Sequence, residues 1–285
     1  MENGRLRPHR ARAYDQRPMA PSILAVTNQK GGVGKTTTAI SLAAILAEMG
    51  RRVLLIDADP QANATSGLGV DRSQLRATAY DVMILGRPLE EARIHTVVPN
   101  LDLVPSHVAL AGSEVELVPM ARRERRLQYA LEGHDHDDDY VIIDCPPSLG
   151  LLTVNAAVAA AGLLVPLQCE YYALEGLGLL MHTVSLLRRE LNPGLGITGI
   201  VMTQYDGRLA LAQQVVDEVR TRFPQHMLTP VIPRNVRLSE APSHGLPITL
   251  YDPACRGAVA YRTLAENLDR RVRGQGSVPT VPLSV

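Results

Sequence analysis

The 285-residue chain has no tryptophan, one phenylalanine and nine tyrosines. Surfaces that stack bases or sugars draw on aromatic rings, so a stacking platform is not the expected mode of recognition. The core must be aliphatic and rich in alanine. Cysteine occurs three times, as Cys145, Cys169 and Cys255, widely spaced and without a C-x-x-C pair. This argues against a disulfide framework and for a reduced, cytoplasmic setting. Net charge is lacking too, because 29 basic residues balance 29 acidic ones. A uniformly basic, histone-like binder is excluded, whereas a local basic patch is not. The most apolar stretch, Leu149 to Cys169, is interrupted by Thr153, Asn155, Gly162, Pro166 and Gln168. It reads as a helix followed by a buried strand, not a membrane span. Five arginines in the first 17 residues have no apolar segment behind them, so they do not open a secretory signal.

Lysine is the most informative scarcity. Of the 29 basic residues only two are lysine, and Lys30 and Lys35 share the segment Gln29-Lys30-Gly31-Gly32-Val33-Gly34-Lys35-Thr36-Thr37. A chain that otherwise uses arginine keeps lysine where a compact ammonium on a flexible stem is needed.

The pattern around that segment predicts the fold. Ser22 to Asn28 reads as a buried strand. Thr36 to Met49 reads as a helix with Ile40, Ala43, Ala44 and Ala47 on one face, closed by Gly50. Arg52 to Asp59 is a second strand. Strand, glycine loop, helix and strand open a doubly wound α/β fold, with a mostly parallel sheet and helices on both faces. Ser113-x-x-Glu116 suggests a capping box, with a continuous helix from after Pro119 to Leu131. On that helix Arg122, Arg123, Arg125 and Arg126 are expected to form a solvated face. Tyr140–Asp144, Gly162–Leu167 and Ile197–Thr203 read as strands, and Leu209–Phe223 and Ala254–Arg271 as helices. On the Leu209–Phe223 helix, Leu209, Ala212, Val216, Val219 and Phe223 share one side. His134–Asp139 reads as an acidic loop rather than a metal tract. Residues 1–20 form a basic disordered arm, 21–273 one nucleotide-binding domain and 274–285 a flexible tail.

The glycine segment departs from the general phosphate loop G-x-x-x-x-G-K-[ST] at Gln29 and adds Lys30. The physics is kept. Gly31, Gly32 and Gly34 let the backbone around Val33 curl so that its N–H groups face phosphate oxygens. The loop feeds a helix N-terminus, which favours anions. Lys35 is placed for the β- and γ-phosphates, and the Thr36 hydroxyl is a hard oxygen ligand for Mg²⁺. Two strands end in acids, Asp57-Ala58-Asp59 and Asp144, at the sheet edge that carries the loop. There a carboxylate can hold a water on Mg²⁺ or orient the attacking water.

KGGVGKTTT, DADPQ followed by NATSGLG, IDCPPSLG and IPRNVRLSEAPSHG stand in this order over residues 21 to 272. Together they resemble the ParA/Soj family of partitioning ATPases, within the deviant Walker A group of P-loop proteins. The resemblance implies that Lys30 through Thr37 bind ATP, and that Lys30 crosses a dimer interface to the partner's nucleotide. It implies Lys35, Lys30 and Asp59 as catalytic groups, and Thr36, Asp59 and Asp144 around Mg²⁺. Pro233 and Asn235 fall where the family contacts adenine. Arg208 and Arg237 match arginines used for nonspecific DNA binding. The implied cycle is an ATP-dependent homodimer on double-stranded DNA, released by hydrolysis that a ParB-like centromere-binding protein stimulates. Turnover alone is expected to be slow, and the setting cytoplasmic and nucleoid-associated.

Other readings share the loop. A MinD-like membrane ATPase needs a basic amphipathic C-terminal helix, which Gly274 to Val285 cannot form. Iron–sulfur carriers need cysteines placed to share a cluster. A metabolic ligase of this group needs a small-substrate pocket, for which no signature is present. A relative that positions a protein cargo would keep every motif above.

Overall fold

The computed structural model describes residues 21–133, 137–171 and 173–274. The arm expected at 1–20, the tail beyond Gly274 and residues 134–136 of the acidic loop lie outside the described residues. Among the described residues seven strands form one sheet: β1 (Ser22–Val26), β2 (Val53–Asp57), β3 (Ile94–His95), β4 (Leu101–Val104), β5 (Tyr140–Asp144), β6 (Gly162–Gln168) and β7 (Gly196–Thr203). Their order is β3-β4-β2-β5-β1-β6-β7. Only β3 pairs antiparallel, on β4; every other pairing is parallel. This is the expected doubly wound sheet.

Among the described residues five helices of nine residues or more cover it: α1 (Lys35–Glu48), α2 (Leu151–Ala159), α3 (Ala173–Glu190), α4 (Ala210–Arg222) and α5 (Arg256–Arg273). Side chains alternate across the pleat, so each strand feeds two cores. Leu24, Val26, Val53, Leu55, Tyr140 and Ile142 pack with α1 and α5. Ala25, Leu54, Ile56, Val141 and Ile143 pack with α2, α3 and α4 on the other face. The strands are fully apolar because both faces are covered.

Several local expectations are corrected. Helix α1 is buried all round between Thr38 and Ala47, not on one face. It lies between the sheet and α5, and its Thr38 hydroxyl meets the Tyr261 hydroxyl at 2.9 Å inside that contact. Ser113 caps nothing: its hydroxyl donates to the Leu110 carbonyl, and Glu116 accepts from the Tyr80 hydroxyl. The helix there is a single turn, Ser113–Glu116, and the next begins only at Arg126, after Pro119 and a 3₁₀ turn at Arg123–Arg125. The true capping box is Thr78 with Asp81. The arginines are not all a solvated face. Arg126 donates to the carbonyls of Met83 and Ile84, and Arg125 to that of Leu191. Leu209 precedes α4 and is exposed, while Val215 joins the buried side. In the acidic loop Asp138 is buried and paired with Arg93 at 2.8 Å. Among the described residues no group of three or more His, Cys, Asp or Glu is placed to hold a metal ion.

Two distant motifs meet through glycine. Gly69 of NATSGLG (φ +74°) and Gly245 of APSHG (φ +65°) abut backbone to backbone. A Cβ on Gly245 would lie 2.6 Å from the Gly69 Cα. Gly245→Ala combines a left-handed backbone with overpacking and should cost about 2–4 kcal/mol. A urea denaturation midpoint close to that of the parent would contradict this.

Candidate functional site

The loop between β1 and α1 lies at the carboxyl edge of the sheet. Parallel register sets Val26 beside Asp144, and Asp144 beside Asp57. The start of the glycine loop and both acidic strand ends therefore share one edge, as the motif order predicts. Gly32 (φ +76°) and Gly34 (φ +87°) take the left-handed conformation that turns the chain into α1. Gly34 is the N-cap and has no side chain to satisfy the first amides of the helix. Those donors stay available to an anion.

The loop is braced from behind. Thr203, at the end of β7, donates to the Val33 carbonyl at 2.8 Å. Gln204 donates to the Gly32 carbonyl at 2.7 Å, and Gln168 holds Gln204 in turn at 3.0 Å. Asn28 bonds the Pro166 carbonyl and accepts the Lys30 amide. With its carbonyls turned away and bonded, the loop is free to present N–H groups on its other side.

Lys35 is buried and donates from Nζ to the Lys30 carbonyl at 3.0 Å. Burial lowers its pKa, opposed by the charges of Asp144 and Asp59, which both act on it. Asp144 is fully buried, and among the described residues neither oxygen has a hydrogen-bond partner of regular geometry, although the Thr36 hydroxyl lies close enough to stabilise its charge. Burial pushes its pKa well above the usual carboxylate range, and the charge of Asp57 adds to the rise. The neighbouring Thr36 hydroxyl and Lys35 pull the other way. A buried carboxylate without partners is costly unless it meets a cation. With the Thr36 hydroxyl it supplies hard oxygen donors, the donor set that Mg²⁺ takes. The site therefore fits a magnesium ion.

Asp59 and Asp57 differ in kind. One oxygen of Asp59 accepts the Gln61 amide at 2.9 Å, and the carboxylate lies close enough to act on Lys35. The Asp59 carbonyl is fixed by Ser106 at 2.7 Å. Asp57 accepts from the Asp59 amide, the Thr65 amide and the Thr65 hydroxyl, at 3.2, 2.8 and 2.6 Å. Its pKa is pushed up to about 6 by burial, against those hydrogen bonds. Asp57 thus builds the turn that positions Asp59.

Gly34, Thr37, Pro233 and Asn235 line one cavity of about 300 Å³, with Tyr261 in its wall. The two residues expected near adenine and the end of the phosphate loop therefore face a common pocket. The Asn235 side chain also caps a short helix, accepting the Arg237 amide at 2.9 Å.

Lys30 points away from this cluster and pairs with Glu170. Arg208 is exposed and forks onto Asp206 at 2.9 and 2.6 Å. Arg237 lies between Glu240 at 2.9 Å and Asp252 at 3.4 Å. Both arginines expected to meet DNA are thus engaged with carboxylates of their own chain. Their segments come together where Tyr205 and Arg234 exchange backbone bonds with Ile232 and Tyr205. Sequence reasoning missed Glu170, Thr65, Thr203 and Gln204. Thr65 lies inside NATSGLG, but nothing local marks its role, and Glu170, Thr203 and Gln204 belong to no such motif; each is legible only once the sheet edge is assembled.

The fold and this cluster define a P-loop nucleotide-binding protein of the deviant, two-lysine type. A family model described as an AAA domain matches residues 21–197. The sporulation initiation inhibitor protein Soj of Bacillus subtilis is 53% identical over 246 residues, 86% of this chain and 97% of that protein. The chromosome partitioning protein ParA of Caulobacter vibrioides is 53% identical over 253 residues, 88% of this chain and 95% of that protein. Among solved structures, cobyrinic acid a,c-diamide synthase from Mycobacterium smegmatis with bound ADP and magnesium aligns with a TM-score of 0.78 and 39% identity, over 92% of this chain and 99% of that one. The chain belongs to the ParA/Soj family of chromosome-partitioning ATPases.

Proposed function

We propose that the protein is an ATP-driven switch that binds DNA without sequence preference and partitions a chromosome or plasmid. The observation that carries this reading is the meeting of Lys35, Asp59 and the buried Asp144 at the glycine loop, in a chain of this family. Lys35 exchanges the Lys30 carbonyl for β- and γ-phosphate oxygens. The amides of Gly31 to Gly34 cradle the same phosphates, and Pro233 and Asn235 wall the base. Thr36 and Asp144 would hold Mg²⁺, with Asp59 beside it, and the bound ion would supply neutralisation of phosphate charge. Asp59 orients the attacking water. Lys30 leaves Glu170 for the partner subunit's phosphates, so closure of the homodimer depends on the γ-phosphate. Closure sets arginines of both subunits, Arg208 and Arg237 among them, on one face toward DNA phosphates. Hydrolysis removes the differential affinity that held the dimer closed, and DNA is released. A ParB-like centromere-binding protein accelerates that step, and the cycle runs in the cytoplasm on the nucleoid.

Binding of random-sequence duplex DNA under ATP, ADP and no nucleotide, at two salt concentrations, tests this. Binding is expected with ATP alone, weaker at the higher salt and lost in Arg237→Ala. Dimers that form with ATP yet leave DNA unbound would sink the DNA reading.

A further inference from the structure

The residues that leave Asp144, Cys145 to Gly150, connect the end of β5 to helix α2. Pro146 and Pro147 stand among them and bring no N–H with which to anchor the backbone. At the near end the Cys145 amide donates to the Val26 carbonyl at 3.2 Å. At the far end the helix has no cap of its own, because its N-cap is Gly150. A residue from another part of the chain supplies one. Glu114 accepts the Leu151 amide at 2.8 Å and the Leu152 amide at 3.4 Å, one on each carboxylate oxygen. Only glycine allows this approach, since a Cβ on Gly150 would collide with the Glu114 carboxylate. The turn that carries Glu114 is itself fixed. Ser113 is buried and bonded to the Leu110 carbonyl, and Glu116 accepts from the Tyr80 hydroxyl. On the same stretch of chain, Ser106 donates from its hydroxyl to the Asp59 carbonyl at 2.7 Å and from its amide to the Thr65 hydroxyl at 2.9 Å. One stretch, 106–114, thus holds the Asp59 turn at one end and the segment behind Asp144 at the other.

We propose that Glu114 is a positioning residue for ATP hydrolysis: by capping α2 from a distant turn, it fixes the segment that follows Asp144 in register with the Asp59 turn. The inference rests on the roles given above to Asp59 and Asp144. The free amides and the dipole of a helix N-terminus draw a carboxylate. A carboxylate that takes two of those amides also fixes where the helix begins, and with it the end of the segment that Pro146 and Pro147 leave without anchors. Hydrolysis is steep in distance, and a displacement of about 1 Å costs about 100-fold in rate. Losing one of several holds on the segment should cost less, about ten-fold. Among the described residues the hydrogen bonds of the Glu114 carboxylate go to α2 alone, and none reaches the glycine loop. Affinity for ATP should therefore be spared.

The test compares parent protein, Glu114→Ala, Glu114→Gln, Asn155→Ala and Asp144→Asn in single-turnover hydrolysis, ATP affinity and amide hydrogen exchange. Asn155 is the control, because it ties the same helix further along, to the Arg123 carbonyl at 2.7 Å and the Leu127 amide at 3.2 Å. Glu114→Ala should hydrolyse ATP about ten-fold more slowly and bind it within about two-fold of the parent, with faster exchange at Ser148, Leu149 and Gly150. Glu114→Gln keeps an acceptor oxygen for one amide and should be only about three-fold slow. Asn155→Ala should loosen the helix yet leave the rate and the exchange of that segment near the parent. Parent-like hydrolysis in Glu114→Ala would overturn the proposal, and so would an equal loss in Asn155→Ala, which would make Glu114 a helix cap and no more. Should Glu114→Ala not fold, Glu114→Gln decides, and a parent-like rate there would overturn the role. Asp144→Asn is expected to lose hydrolysis. A parent-like rate in that variant would overturn the reading of the site itself, whereas its loss beside parent-like Glu114 variants would overturn the positioning role alone.

Discussion

Asp59→Ala should lower ATP turnover by about 100-fold or more while nucleotide binding, dimer formation and DNA binding persist. Positioned proton-transfer and water-orienting groups are worth about 10²–10⁴ in rate. Asp59 has the position for that work. One oxygen is held by the Gln61 amide, and the carboxylate acts on Lys35 across the glycine loop. Removing it takes away little that binds phosphate, because Lys35, Thr36 and the loop amides stay. The variant should therefore accumulate in the ATP-bound, DNA-bound state. Asp57 is the internal control. Its oxygens already take three donors from the Asp59–Thr65 turn, so it has a structural task. Asp57→Asn turns an amide donor toward some of those donors and should reduce folding stability by about 1–3 kcal/mol. Single-turnover hydrolysis and urea unfolding on both variants separate the roles. Parent-like turnover in Asp59→Ala would remove it from the chemistry.

The parts of this molecule legible in the sequence are those in which local chemistry and tertiary role coincide. Tyr140-Val-Ile-Ile-Asp144 is apolar up to its last residue and folds as β5 with those bounds, because both faces of the sheet are covered. The glycine loop is legible because backbone curvature needs glycine and phosphate binding needs lysine in one short segment. Illegible features depend on contacts between distant segments. Glu170 pairs with a lysine 140 residues away. Thr203 and Gln204 brace the loop only because β7 ends beside it, 170 and 172 residues further on. Asp57 and Asp59 look alike in DADPQ, and only Thr65 folded back onto the first tells them apart. The capping box expected at Ser113 and the helix expected from after Pro119 to Leu131 fail for a similar reason. Ser113 finds a nearer acceptor in the Leu110 carbonyl, the helix begins only at Arg126, and Arg125 and Arg126 bond carbonyls of other segments. Gly69 and Gly245 are two ordinary glycines until their backbones meet.

Lys30→Ala should abolish ATP-driven dimerisation, and with it DNA binding, while monomeric nucleotide affinity changes only a few-fold. Lys30 does not touch Lys35, Asp59 or Asp144 through its side chain; only its carbonyl reaches the pocket, where Lys35 holds it. An alanine preserves that carbonyl. What it removes is an ammonium now parked on Glu170 at the surface. Exposed ion pairs of this kind contribute at most about 1 kcal/mol, so the lysine is released at small cost when a stronger anion is offered. On the proposed cycle, the partner's triphosphate, excluded from water at a closing interface, would be such an anion. Glu170→Gln should accordingly favour the dimer by no more than about five-fold, the factor that such a surface pair allows. Lys30→Arg is the sharper experiment. Charge is conserved, yet the planar guanidinium is wider and less flexible than an ammonium, and this chain uses arginine at 27 of its 29 basic positions. If arginine could do this work, the composition gives no reason for lysine to persist here. Sedimentation of Lys30→Ala, Lys30→Arg and Glu170→Gln with ATP and ADP reads all three. Parent-like ATP dimers in Lys30→Arg would mean that charge alone suffices at this position, and such dimers in Lys30→Ala would remove the lysine from the interface.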